Sequence, residues 1–250
     1  NAGIIIRGSS ATTEILESLT TRGGLIPIHD AVRLIGAEVR LDTTDSGNSA
    51  GAAVTVVFAI NSAPTEGNSL VIESGLATVG LESAVGAATD GQLGSLLINS
   101  TGGINLASPV LRTEGEQAYN GPVNLAANVV IQTTNANVTF NGDVSGVQNL
   151  TIAQNTGNTV FNGTVGTLNS LIIEDGNTRR FAQSVAVNNL TITGGIAVFD
   201  AAAEILDANM SGGELTGAGD VTITGLFQWT GGAMTGSGRT LVASTGTVEV

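Results

Sequence analysis

Tyr119-Asn120-Gly121-Pro122-Val123, Phe140-Asn141-Gly142-Asp143-Val144 and Phe161-Asn162-Gly163-Thr164-Val165 are three copies of one pentapeptide. Phe181-Ala182-Gln183-Ser184-Val185 is a fourth copy that keeps the ends and loses the Asn-Gly. The copies recur about every 20 residues, the period of a solenoid repeat. Two further columns run in register with them: Val129, Leu150, Leu171 and Leu190, and then Ile131, Ile152, Ile173 and Ile192. Inside each copy the period is 2. Leu150-Thr151-Ile152, Leu171-Ile172-Ile173 and Leu190-Thr191-Ile192 place first and third side chains on one face, as a strand does. Gly, Asn, Asp and Ser gather between these strands, where turns want them.

One such repeat cannot bury its apolar face alone. Stacking the next repeat on it, with like residues in columns and strands ~4.8 Å apart, solves that problem. The reading is therefore an all-β fold, a right-handed parallel β-helix (β-solenoid) with rungs of about 20 residues. About twelve rungs would make a rod of roughly 60 Å. The competing reading is an antiparallel meander or sandwich, because Asn-Gly is a strong hairpin signal. Hairpins, however, do not require four columns to hold register over four successive copies.

The pattern weakens away from residues 117–193. Upstream, Leu81 and Val85 repeat the spacing of Phe140 and Val144, Leu96 and Ile98 supply an alternating pair, and Leu106 and Val110 give another four-residue pair. Downstream, Gly212-Gly213-Glu214-Leu215-Thr216-Gly217-Ala218-Gly219 recurs as Gly231-Gly232-Ala233-Met234-Thr235-Gly236-Ser237-Gly238. Residues 46–193 read as solenoid repeats and 194–250 as Gly-rich solenoid repeats of a second type. Residues 1–45 read as less regular rungs, the whole forming one continuous domain. Val32, Leu34, Val39 and Leu41 alternate as strands do. Thr13 to Leu19, with Glu14 and Glu17 near its start, predicts a short helical insert.

Composition narrows the function classes. The 250 residues carry a formal net charge of −13, no Cys, one His and only 3% aromatics; all eight basic residues are Arg. Phosphate binding needs positive charge, so no nucleic-acid partner is expected. An anionic membrane surface would repel the chain. Without Cys there is no disulfide, thiol nucleophile or Cys-ligated metal; without Lys there is no Schiff base or P-loop. The longest apolar run, Ala52 to Ile60, is far short of the ~20 residues of a membrane helix, and no membrane insertion is expected. The chain starts at Asn1 without Met or a signal peptide and reads as a mature product or an excerpt.

The motif Phe140-Asn141-Gly142…Val144…Leu150-Thr151-Ile152 resembles the repeats of large bacterial surface adhesins of the filamentous-haemagglutinin and autotransporter-passenger type. So does Leu41-Asp42-Thr43-Thr44-Asp45…Ala53-Val54-Thr55-Val56…Leu93-Gly94-Ser95-Leu96, and the Gly-rich copies are similar to repeats of such secreted proteins. The resemblance covers most of residues 41–250. It implies a right-handed parallel β-helix, exported and displayed on, or released from, a Gram-negative-type cell, and so extracellular or at the cell surface. It also implies a non-enzymatic adhesin or filament segment that makes weak multivalent contacts with a host-cell or matrix surface or with carbohydrate. Two family hallmarks are missing from these residues: the Asn-Pro-Asn-Leu or Asn-Pro-Asn-Gly-Ile motif of the secretion domain, and an aromatic-ended membrane barrel. Solenoid rungs with bare ends would also stack end to end.

The alternative class is a carbohydrate-active β-helix, a polysaccharide lyase or hydrolase. Hydrolysis needs two carboxyls across a cleft. Glu174 and Asp175 are adjacent beside Gly176, and read as a solvated turn. Glu114 and Glu116 are two apart and also read as solvated. Arg179-Arg180, the candidate lyase base, reads as a solvated pair at a rung corner. His29, beside Asp30, reads as a turn residue with no nucleophile near it. Gly217-Ala218-Gly219-Asp220-Val221 is only a fragment of a calcium-binding nonapeptide, and its second copy puts Arg239 where Asp220 stands. The Asn149-Leu150-Thr151 and Asn189-Leu190-Thr191 triplets follow from the repeat, and their glycosylation is not expected. Trp229, two residues from Phe227, reads as a column or capping residue rather than a sugar platform. Thr139, Thr151, Thr159 and Thr191 make no regular Thr ladder of the ice-binding kind. No catalytic, cofactor-binding or metal-binding residue is assigned, and no cofactor is expected.

Overall fold

In the computed structural model, residues 2–8, 12–45, 47, 49–154, 157–174 and 177–250 are described. They form 28 strands and no helix. Every strand pairing among them is parallel, and the chain winds as a β-solenoid of about 11 turns. At ~4.8 Å per turn the stack is roughly 50 Å long.

A typical turn contributes a strand to each of three stacks. In one central turn these are Val138–Phe140, Val144–Ser145 and Asn149–Gln154. They pair respectively with Thr159–Phe161, with Val165–Gly166 and with Ser170–Ile173 of the next turn. The three stacks are named here the aromatic, valine and leucine sheets after their inward columns. Towards the carboxyl end the corner between valine and leucine sheets straightens, so Val165–Ile173, Val185–Ile192 and Ala203–Gly217 each run through it as one long strand.

The core is the set of inward columns. Ile26, Val54, Val79, Ile104, Val123, Val144, Val165 and Val185 lie one above another on the valine sheet, all buried. Leu150, Leu171 and Leu190 continue Val129 on the leucine sheet, and Ile131, Ile152, Ile173 and Ile192 run beside them. The aromatic column is longer than the four repeats that reveal it, because Phe199 stacks on Phe181. Adjacent rings from Tyr119 to Phe199 sit 4.7–4.8 Å apart, with planes 5–11° from parallel. That centroid spacing equals the strand spacing, so parallel strand pairing imposes the ring stacking. Each such pair is worth roughly 0.5–1.5 kcal/mol beyond its buried area.

The antiparallel reading of Asn-Gly fails for a local reason. Asn120, Asn141 and Asn162 do not turn hairpins; they stack. Asn141 Nδ2 donates to Asn120 Oδ1 at 2.5 Å, and Asn162 Nδ2 to Asn141 Oδ1 at 2.7 Å. Below them Asn120 donates to Asn99, Asn99 to Glu73, and Arg40 to the same Glu73 carboxylate. The glycines are needed for clearance. A Cβ on Gly142 would lie 2.4 Å from the Gly121 backbone, and one on Gly163 would lie 2.5 Å from Gly142.

Four upstream expectations are corrected. Thr13 to Leu19 holds no helix: Thr13–Ile15 is a strand on Val32–Leu34, and Leu19–Thr20 a strand on Leu41–Asp42. Edge pairing satisfies their backbone without a helical turn. Leu81 and Val85 are not the counterparts of Phe140 and Val144. Val79, two residues earlier, holds the Val144 column, and Val85 bridges Ile60 and Leu111 in the isoleucine column. Leu96 and Ile98 belong below Gln117 and Tyr119, on the aromatic sheet. In the pair Leu106 and Val110, Leu111 rather than Val110 faces inward, under Ile131.

Candidate binding face

The carboxylates examined for catalysis are spread along the stack. Glu114 and Glu116 are both exposed in the loop before Gln117–Asn120. Glu174 is exposed; Asp175 and Gly176 lie outside the described residues. His29 is exposed and its backbone N–H donates to Ile6. The Asp30 carboxylate serves Thr13 Oγ1 at 2.5 Å and its neighbour's N–H, Ala31, at 2.9 Å, so it orients the chain rather than the imidazole. Among the described residues no three of His, Cys, Asp or Glu converge as a metal-holding group.

Arg179 and Arg180 are not the solvated pair that the sequence suggests. Arg180 is exposed and pairs with Asp200 at 2.5 Å. Arg179 is fully buried, in the column between Thr159 and Ala197, with Nη1 donating to the Asn177 carbonyl at 3.1 Å. The signal was present: Arg179 stands two residues before Phe181, the parity that Val138 and Thr159 hold before their own phenylalanines. Charge outweighed register in the sequence reading.

Asp220 and Arg239, which occupy one position in the two Gly-rich copies, face each other across one turn. Arg239 Nη2 sits 2.6 Å from Asp220 Oδ2, and the Arg239 N–H donates to Asp220 Oδ1. These hydrogen bonds hold the Asp220 carboxyl below its ordinary range and raise the Arg239 guanidinium. The Asp-to-Arg exchange between copies is thus complementarity between neighbours. Trp229 lies above Met210 in the isoleucine column, half-buried against the core and parallel to Phe227 at 6.5 Å. Thr159 faces the core, whereas Thr139 lies on the aromatic sheet and Thr151 and Thr191 on the leucine sheet. Tyr119 starts the aromatic stack. It donates to Gln117 Oε1 at 2.6 Å, and burial pushes its phenol far up.

What the stacking does assemble is a polar outer row on the leucine sheet. Alternation turns Asn189 and Thr191 outward, then Asp207 and Asn209, then Gln228, then Glu249, each on the neighbour one turn before it. Asn209 Nδ2 donates to Gln228 Oε1 at 3.4 Å, and Gln228 Nε2 to Glu249 Oε2 at 3.1 Å. Asp207 accepts from the Leu226 N–H at 2.7 Å. A shallow depression of about 330 Å³ lies over this row, lined by Asn189, Thr191, Asp207, Asn209 and Gln228 among others. A second depression, about 500 Å³, lies on the outer valine sheet over Thr55, Gly80 and Asn105, with Glu82 at its rim. The leucine-sheet row repeats hydrogen-bonding groups at the strand spacing, a geometry for many weak contacts rather than one deep pocket; on the valine sheet Gly80 interrupts the line between Thr55 and Asn105. The sequence reading missed the row because its members change type from turn to turn; only their spacing of about one rung marks them.

These features define a class, the parallel β-solenoid repeat proteins. No protein-family model, curated protein or solved structure matches the chain.

Proposed function

We infer that the chain is a non-enzymatic segment of an exported bacterial surface adhesin or filament protein. The stacked turns supply reach and stiffness, and the outer polar row makes weak multivalent contacts with a host-cell or matrix surface or its carbohydrate. The observation that carries this reading is the axial row Asn189–Asp207/Asn209–Gln228: mostly uncharged donors and acceptors, exposed or half-exposed, repeating once per turn. Such groups suit hydroxyl-rich ligands, and repetition converts weak contacts into avidity. The resemblance of the central repeats to surface adhesins supports the same reading, as does the scatter of the described carboxylates.

Beads coated with the purified chain, incubated with epithelial cells and with immobilised neutral polysaccharide, test it. Retention above that of beads carrying the triple variant Asn189→Ala, Asn209→Ala, Gln228→Ala is expected, with unchanged circular dichroism and no shortening of the polysaccharide. Equal retention sinks the polar row as the contact surface. Depolymerisation would support the lyase or hydrolase class instead.

A further inference from the structure

The amide ladder makes the three Asn-Gly steps chemically unequal. In an unfolded chain, Asn-Gly is the step most prone to deamidation, because glycine leaves the following backbone nitrogen unhindered. The Gly163 nitrogen loses its proton to hydroxide and bonds to Asn162 Cγ. The Cγ–Nδ2 bond breaks and ammonia leaves. Water then opens the succinimide at either carbonyl, giving aspartate or isoaspartate. The same route is open in principle at Asn120 and Asn141.

Ring closure needs the Asn side chain to swing off the ladder. Asn120 donates to Asn99 Oδ1 and accepts from Asn141. Asn141 donates to Asn120 and accepts from Asn162. Each therefore breaks two amide hydrogen bonds before it can react, and each bond opposes the swing. Asn162 breaks one. One turn on, its ladder position is held by Ala182, next to the stacked pair Phe161 and Phe181. Ala182 has no side-chain amide and its backbone N–H donates to the Phe161 carbonyl, so Asn162 Oδ1 receives no hydrogen bond among the described residues. Asn162 is exposed, and the Gly163 N–H meets no backbone acceptor among the described residues.

We propose that Asn162 is the deamidation site of the folded protein, and that the ladder protects Asn120 and Asn141. The modification would act on the stack itself. Aspartate at 162 has no Nδ2 to donate to Asn141. Isoaspartate routes the chain through Cγ and lengthens the backbone where Gly163 already rests on Gly142, with no room even for a Cβ.

The test is peptide mapping by mass spectrometry of the full chain aged at mildly alkaline pH, folded and in denaturant, with aspartate and isoaspartate resolved. In denaturant Asn141 and Asn162 should convert alike. In the folded chain Asn162 should convert well ahead of Asn141 and Asn120. Equal rates, an earlier Asn141, or no conversion at Asn162 while the unfolded sample converts fully would each overturn the proposal. Ala182→Asn adds the missing amide, and should slow Asn162 to the rate of Asn141. An unchanged rate in that variant, with native circular dichroism, would remove the ladder as the cause; where the variant does not fold, the wild-type map decides.

Discussion

Two glycines show how differently one residue type is used. Gly142 sits at a corner where the turn below leaves no space, and the would-be Cβ meets backbone atoms that cannot move aside. Gly166 lies on the outer valine sheet, outside the left-handed region, and a Cβ there would meet nothing within 4 Å. Gly142→Ala should therefore destabilise the fold by about 1–3 kcal/mol, as overpacking does. Gly166→Ala should stabilise it by about 0.4–1 kcal/mol through the unfolded state. Denaturant titration of both variants measures the contrast, and similar costs at the two positions would contradict the stacking account. From sequence the Gly of Asn-Gly reads equally well as a hairpin residue, since a turn and a close backbone approach ask for the same side chain. Arg179 was misread for a related reason. Its charge suggests solvent, while its parity with Phe181 places it in the core.

Strands hold register and corners absorb length. The interval between stacked positions is 21 residues from Tyr119 to Phe140 but 18 from Phe181 to Phe199, and 31 from Leu41 to Ile72. This is why the columns from Tyr119 to Ile192 were legible as a repeat while those upstream were assigned to the wrong sheet: insertions at corners shift the spacing without disturbing the pairing. The Gly-rich turns keep register by a different device, with Asp220 and Arg239 meeting across neighbouring strands. Asp220 has its folded pKa depressed by Arg239. Its contribution to stability is therefore present above the unfolded carboxylate range, and is lost as pH falls through the folded value. The stability gap between the wild type and Asp220→Asn should be small, present at neutral pH and closed in acid. Thermal melts of both proteins across that range check the sign, and a gap that widens in acid would contradict it. Because both side chains face solvent, salt should shrink the gap as well.

At the scale of the molecule, composition follows from architecture. Small β-branched and aliphatic side chains fill a narrow interior, and Asn, Gly and Asp occupy corners where one turn rests on the next. Several acids behind the net charge of −13 cap backbone N–H groups one turn away: Asp143 takes the Thr164 N–H, Asp207 that of Leu226 and Asp220 that of Arg239. The solenoid was legible in its four central copies. The outer polar row was not, because outward residues are constrained by spacing alone and carry no shared identity.

The central claim is that distance along the molecule counts turns. Asn105, Asn124, Ser145 and Glu204 occupy one outward line on the valine sheet, with Glu204 five turns above Asn105, four above Asn124 and three above Ser145. The absence of native cysteine lets pairs of introduced cysteines carry spin labels cleanly. Pulsed electron resonance on Glu204 paired in turn with Asn105, Asn124 and Ser145 should give separations near ~24, ~19 and ~14 Å, falling by one strand spacing per turn. Separations that do not shorten in that order, as an antiparallel sandwich would give, would contradict the stack.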